Sequence, residues 1–125
     1  MPAPAITAFP FFVYPVTDMD RSCAFYRDIL GLTEIARWEN SWVEFSFNPS
    51  DAGPALALST DMANTVPGAQ GSAIALESPD FDAMVAHLRA HGVTFAMAPA
   101  ETSACHFARF LDPDGNHLVL HRIHD

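Results

Sequence analysis

A chain of 125 residues, half of them apolar and ten of them phenylalanine, has hydrocarbon for one packed core and too little length for two. Six Lys and Arg against fifteen Asp and Glu leave a formal charge of −9, which argues against a nucleic-acid backbone or an anionic membrane as partner and favours neutral or cationic ligands. No apolar run approaches membrane-spanning length, the first residues lack a secretory pattern, and Cys23 and Cys105 lack metal or disulfide spacing, so a cytoplasmic protein with free thiols is expected.

Phe9 to Val16, aromatic and β-branched, predicts a strand whose Pro10 and Pro15 suit an edge or strand ends. Asp18 is placed to cap a helix with an apolar stripe of Phe25, Tyr26, Ile29 and Leu30, and Gly31 sits where a helix C′ residue belongs. Thr33 to Trp38 and Trp42 to Phe47 follow as strands; in the second, Val43, Phe45 and Phe47 alternate with Trp42, Glu44 and Ser46. Asn48 to Pro54 makes a turn, Ala55 to Ser59 a fourth strand, and the Pro- and Gly-punctuated stretch from Thr60 to Gly71 a linker. Ser72 to Glu77 is a strand, Asp80 caps a second helix striped with Phe81, Met84, Val85 and Leu88, and Gly92 ends it. Val93 to Met97 is a strand and Pro99 to Ala104 a loop.

The stretch from Ala108 to His121 closes the chain as a β-hairpin. Pro113 presets the dihedral needed at the second position of a type I turn, and Gly115 can take the left-handed conformation that completes it. Beyond the turn, Leu118 and Leu120 share one face while His117, Val119 and His121 share the other. The two halves repeat: Asp18 answers to Asp80, Gly31 to Gly92 and Asn48-Pro49 to Asp112-Pro113, at offsets of 62, 61 and 64. The fold expected is α+β, one domain of two βαβββ modules (about 6–60 and 72–123, linked by 60–71) forming a curved mixed sheet with both helices on its convex side.

Alternation then assigns the concave face. It carries Phe11, Trp42, Glu44, Glu77, Cys105, Phe107, Arg109 and His121, interleaved with small residues such as Ala55, Ala57 and Ala75. An apolar hollow with a few converging polar groups suits a small organic ligand. Glu44, between Val43 and Phe45, is an acceptor or a general base raised by burial, or else a carboxylate paired with Arg109. Glu77 ends its strand at the rim. Cys105, if it faces His121, is an activated thiol, or else an inert small hydrophobe. His121 is the histidine placed for hydrogen bonding or acid-base work; His106, His117 and His124 fall at the surface or hairpin, and His87 and His91 on the solvent side of the second helix. Trp42 and Phe107 either sandwich a planar ligand or pack against a partner subunit.

Val16-Thr17-Asp18-Met19-Asp20-Arg21-Ser22 with Phe25-Tyr26-Arg27-Asp28-Ile29-Leu30-Gly31-Leu32, the His91-Gly92-Val93 step, and Phe110-Leu111-Asp112-Pro113-Asp114-Gly115-Asn116 resemble the vicinal oxygen chelate superfamily, which includes glyoxalase I, extradiol dioxygenases, fosfomycin-resistance enzymes and bleomycin-resistance proteins. The resemblance spans nearly the whole chain and is specific for the fold, not the reaction. It implies a homodimer, and a divalent metal held from four strand positions that fall here on Phe11, Ala57, Ala73 and Val119. None of these has a donor atom, and among their sequence neighbours only Ser72 is polar, so no metal and no other cofactor is expected. The reading that follows is metal-independent binding of a small organic molecule, an antibiotic or a metabolite. The alternatives left open are a glyoxalase- or lyase-type enzyme using Glu44, Cys105 and His121, or an unusual metal site of Glu44, Glu77 and His121, and an interaction module whose cup is filled by its dimer partner.

Overall fold

In the computed structural model, residues 3–47, 53–61, 66–68 and 73–124 are described. Most of the predicted 48–54 turn and much of the predicted 60–71 linker lie outside these. The elements are β1 (Phe11–Pro15), α1 (Met19–Ala24), a π-helical turn (Phe25–Ile29), β2 (Thr33–Trp38), β3 (Trp42–Ser46), β4 (Ala55–Ser59), β5 (Ile74–Glu77), α2 (Phe81–Ala90), β6 (Phe95–Glu101), β7 (Cys105–Leu111) and β8 (His117–Ile123). The expected β-α-β-β-β order therefore occurs in both halves, and each half closes a four-stranded mixed sheet, ordered β1-β4-β3-β2 and β5-β8-β7-β6. In each, the first strand runs parallel to the last while the remaining pairs are antiparallel. Among the described residues no helix is long and apolar enough to cross a membrane.

Both helices begin and end as the sequence dictates. Asp18 Oδ1 accepts from Arg21 N at 3.1 Å and Asp80 Oδ1 from Ala83 N at 3.3 Å, each satisfying an amide that the first turn leaves unpaired. The first helix then widens: Leu30 N donates to Phe25 O at 3.0 Å, a five-residue step. With that wider turn the consecutive rings of Phe25 and Tyr26 are both buried. The strand prediction needs one correction. Pro99 does not open a loop: β6 continues through it to Glu101, with register irregularities on both sides of Met97. Proline lacks an amide proton, and an outer strand with bulges is where a sheet accommodates it.

The helix-side faces of both sheets feed one continuous core. Val43, Phe45, Leu56 and Leu58 of the first sheet and Ala108, Phe110, Leu118 and Leu120 of the second are buried together with Phe25, Tyr26, Phe81, Val85 and Leu88 of the helices.

The β7–β8 turn fastens one module to the other. Asp112 Oδ1 accepts from Asp114 N and Asn116 N at 2.9 and 2.8 Å, while its Oδ2 accepts from Asn116 Nδ2 and from the Tyr26 hydroxyl, both at 2.9 Å. Asn116 Nδ2 also donates to Pro15 O, and Asn116 Oδ1 accepts from Gly68 N, both at 2.8 Å. Gly68, at φ +80°, leaves no room for a side chain, since a Cβ there would stand 3.0 Å from Asp114 O. Asp114 in turn accepts from Thr17 Oγ1 at 2.6 Å and Arg21 Nη2 at 3.1 Å. Tyr14 completes the join, donating to His117 O at 2.5 Å and accepting from Ile74 N at 2.8 Å.

Burial pushes the Asp112 carboxyl above the ordinary carboxylate range despite its donors, and pushes the Tyr26 phenol well up. Tyr26→Phe removes one donor from this buried carboxylate, and its expected cost is about 1–3 kcal/mol, measured by urea unfolding. A carboxyl raised in the folded state contributes stability that is complete below its unfolded value and lost as pH rises through its folded value. Asp112→Asn should therefore remove that mildly acidic component from the plot of unfolding free energy against pH.

Candidate functional site

The faces turned away from the core carry the residues singled out by alternation. On the first sheet, Phe11 pairs with Ala55, Val13 with Ala57, and Ala57 in turn with Glu44. A cavity of about 400 Å³ opens there between Pro10, Phe11, Trp38, Trp42 and Glu44. The Phe11 and Trp42 rings meet edge to face with centroids 5.2 Å apart, an arrangement that sets the ring edge against the neighbour's electron-rich face. Trp42 Nε1 donates to Glu44 Oε2 at 2.8 Å, so the carboxylate that interrupts this apolar strand is held by the indole and not by Arg109. Trp38, 59% exposed, and Pro10 also line this hollow; strand alternation pointed to neither.

On the second sheet, Glu77, His121 and Phe107 form one row across β5, β8 and β7, and Ala75, Val119 and Arg109 form the next. His121 Nδ1 lies 2.5 Å from Glu77 Oε1, and Ile123 N donates to Glu77 Oε2 at 2.9 Å. These two contacts, the imidazole foremost, hold the Glu77 carboxyl below its ordinary range. With Nδ1 engaged, Nε2 is the ring nitrogen free to meet a ligand. Arg109 is half-buried, and its guanidinium makes no hydrogen bond or ion pair among the described residues. His117 Nδ1 on the same face is buried without a hydrogen-bond partner.

Cys105 does not stand opposite His121. The register sets Cys105 against Ile123 and Phe107 against His121, and the thiol lies 3.5 Å from Thr102 Oγ1. The register of the β7–β8 pairing decides this, and strand alternation alone does not contain it. Both cysteines are free. Glu44, Glu77 and His121, the unusual metal set considered above, divide between two sheets and do not form a group of donor atoms among the described residues.

Sequence reasoning missed a larger cavity. A crevice of about 500 Å³ opens on the helix side, between the modules, bounded by Phe12, Leu32, Phe45, Phe47 and Leu56 from the first and Ile74, Leu76, Met84, Phe110 and Leu120 from the second. Phe12 and Phe47 have the sequence pattern of core residues, and only the fold leaves them 44% and 78% exposed.

The donor set bears directly on the metal chemistry that this kind of fold can host. Phe11, Ala57, Ala73 and Val119 offer only hydrocarbon, which cannot enter the coordination sphere of a divalent cation. These residues do not fit a metal at those positions.

Two four-stranded mixed sheets from duplicated βαβββ units define the fold class. The model of the glyoxalase/bleomycin resistance protein/dioxygenase superfamily matches residues 8–120, and the chain belongs to that superfamily. It is similar to TnmS3, an antibiotic binding protein from Streptomyces sp. CB03234, at 28% identity and a TM-score of 0.82 over 98% of this chain and 100% of that one. It is similar also to a glyoxalase/bleomycin resistance protein from the same organism, at 29% identity and a TM-score of 0.73 over 88% and 96% of the two chains. The trypanothione-dependent glyoxalase I of Leishmania major shares 25% identity and a TM-score of 0.73 over 92% of this chain and 86% of that one. No curated protein sequence matches.

The Glu77 pairing has a pH signature. A carboxyl lowered in the folded state contributes stability that is present above its unfolded value and lost as pH falls through its folded value. The melting-temperature difference between the parent and Glu77→Gln should be largest near neutral pH and shrink towards zero in acid, as followed by circular dichroism.

Proposed function

We propose that this protein binds a small, largely apolar organic molecule, an antibiotic or a metabolite, on its outward sheet face and without a metal ion. The observation that carries the reading is the hollow of Phe11, Trp38 and Trp42 with Glu44 as its one carboxylate. Aromatic walls favour a planar ligand, and a carboxylate in a chain of net charge −9 favours a neutral or cationic one. The likeness to an antibiotic binding protein over almost the whole of both chains supports the same class of ligand. The hydrocarbon at Phe11, Ala57, Ala73 and Val119 supports metal independence.

The cup is completed by a second copy of the chain. This reading takes the outward face of each sheet as half of a site. In it, Phe107, Arg109 and His121 of one copy and Phe11, Trp42 and Glu44 of the other share one cup. Two free cysteines agree with a reducing cytoplasm.

One observation favours a catalytic second reading. The Glu77–His121 pair orients an imidazole as general bases are oriented, and the chain's likeness to a glyoxalase I supports an enzyme. In this reading His121 moves the proton, Glu77 fixes its tautomer, and Cys105 lies outside the reacting group.

Titration of the protein with a panel of planar neutral and cationic natural products, in the presence of a chelator, tests the binding reading. A ligand should quench tryptophan fluorescence and raise the melting temperature. Trp42→Ala or Glu44→Ala should each weaken binding at least about tenfold, equivalent to about 1.4 kcal/mol. Absence of any response across the panel, together with turnover of a small substrate abolished by His121→Gln, overturns it in favour of the enzyme.

A further inference from the structure

We propose that Glu101, His106 and His124 form a binding site for a borderline divalent transition-metal ion, zinc foremost, separate from the cup and from the positions where its superfamily carries metals. These three side chains converge at the open end of the second sheet. Glu101 and His106 are register partners across β6 and β7, and His124 follows β8, held beside the β6–β7 turn by donation from its amide to Ala104 O at 2.9 Å. His106 Nε2 and His124 Nε2 each lie 3.3 Å from Glu101 Oε2, and the three candidate donor atoms all fall within 4.8 Å of one another.

Two ligands about 2.0–2.1 Å from a tetrahedral zinc ion stand about 3.3 Å apart, so both histidine-to-carboxylate edges already have the length a bound ion requires. Only the histidine-to-histidine edge has to close. The imidazole ring centroids are 4.7 Å apart at 68°, and the edge between their candidate donor nitrogens is at most 4.8 Å. His106 is backed by the Phe81 ring at 5.7 Å, which limits the planes it can adopt. Both histidine side chains are 30% exposed and Glu101 is 59% exposed, so an ion has a path in and room for water as a fourth ligand.

His106 shares the parity of Ala108 and Phe110 and therefore lies on the side of the sheet opposite Phe107, Arg109 and His121. The site and the cup are separated by the sheet itself. His124 Nε2 also lies 3.1 Å from Thr102 O, to which it donates in the Nε2–H tautomer; metal ligation uses the other tautomer, with the ring proton on Nδ1 and the Nε2 lone pair on the ion. Two imidazoles and one carboxylate match zinc, cobalt, nickel and copper, and do not match magnesium or calcium, which need oxygen ligands. A bound ion ties the β6–β7 turn to the end of β8, and so stabilises the margin of the sheet whose other face we assign to the ligand.

The test uses chelator-treated protein without a histidine tag, titrated with zinc chloride by calorimetry and with cobalt(II) by visible absorption. Expected are one ion per chain, a tetrahedral cobalt spectrum, a higher melting temperature with zinc, and no response to magnesium. His124→Ala and the isosteric Glu101→Gln should each weaken zinc binding at least tenfold while keeping the metal-free circular dichroism spectrum. His91→Ala should change nothing, which controls for the exposed His87 and His91 rings, 4.5 Å apart at the end of α2. Failure to bind stoichiometric zinc, binding undiminished in both site variants, or binding lost in His91→Ala overturns the proposal.

Discussion

The structure depends on a buried carboxylate. Asp112 sits inside the join between the two modules, and its oxygens are shared among two amides of its own turn, the Asn116 side chain and the Tyr26 hydroxyl from the first helix. A buried charge without donors is prohibitively unfavourable, whereas one surrounded by them constrains every group that supplies a hydrogen bond. The constraint is what fixes the relative placement of the sheets: Tyr26 comes from one module, Asn116 from the other, and Asn116 reaches on to Pro15 at the end of β1. The hydrophobic core is shared by both modules but is non-directional, so it favours their association without choosing an orientation. The polar turn makes that choice.

The join also determines what is left outside. With the helix-side faces committed to the shared core, the opposite faces are free to act, and their composition divides the work. The first sheet offers rings and one carboxylate held by an indole; the second offers an oriented imidazole, a guanidinium and an aromatic ring. Neither half has the density of polar groups that would anchor a strongly charged ligand. Both have the mixture of apolar surface and sparse hydrogen-bonding groups on which small-molecule recognition rests. Side chains at the far margin, around Glu101, His106 and His124, belong to different chemistry and lie on the other side of the same sheet.

Much of this was legible before any coordinate. Helix caps at Asp18 and Asp80, the stops at Gly31 and Gly92, and the tight turn through Gly115 are local consequences of side-chain hydrogen bonding and backbone freedom, and all occur where the residue types demand them. The sorting of each strand into a core face and an outward face is equally local, because side chains alternate with a period of two. Harder to read was the path of β6 through Pro99, since a proline is compatible with a loop or an outer strand and only the partner strand distinguishes them. The helix-side crevice escaped for a related reason: Phe12 and Phe47 have the pattern of core residues, and their exposure depends on how far two short helices extend over the sheets.

By itself, the amino-acid sequence determined the duplicated modules, the face on which each candidate residue lies, and the hydrocarbon at Phe11, Ala57, Ala73 and Val119, because each follows from residue chemistry within a few positions of chain. The tertiary structure alone decided that Cys105 meets Ile123 and not His121, that Glu77 takes His121, that Glu44 takes Trp42, and that Glu101, His106 and His124 converge. Register and docking are set by groups far apart in the chain, and a shift of one residue in either would exchange every one of these neighbours without altering a single local preference.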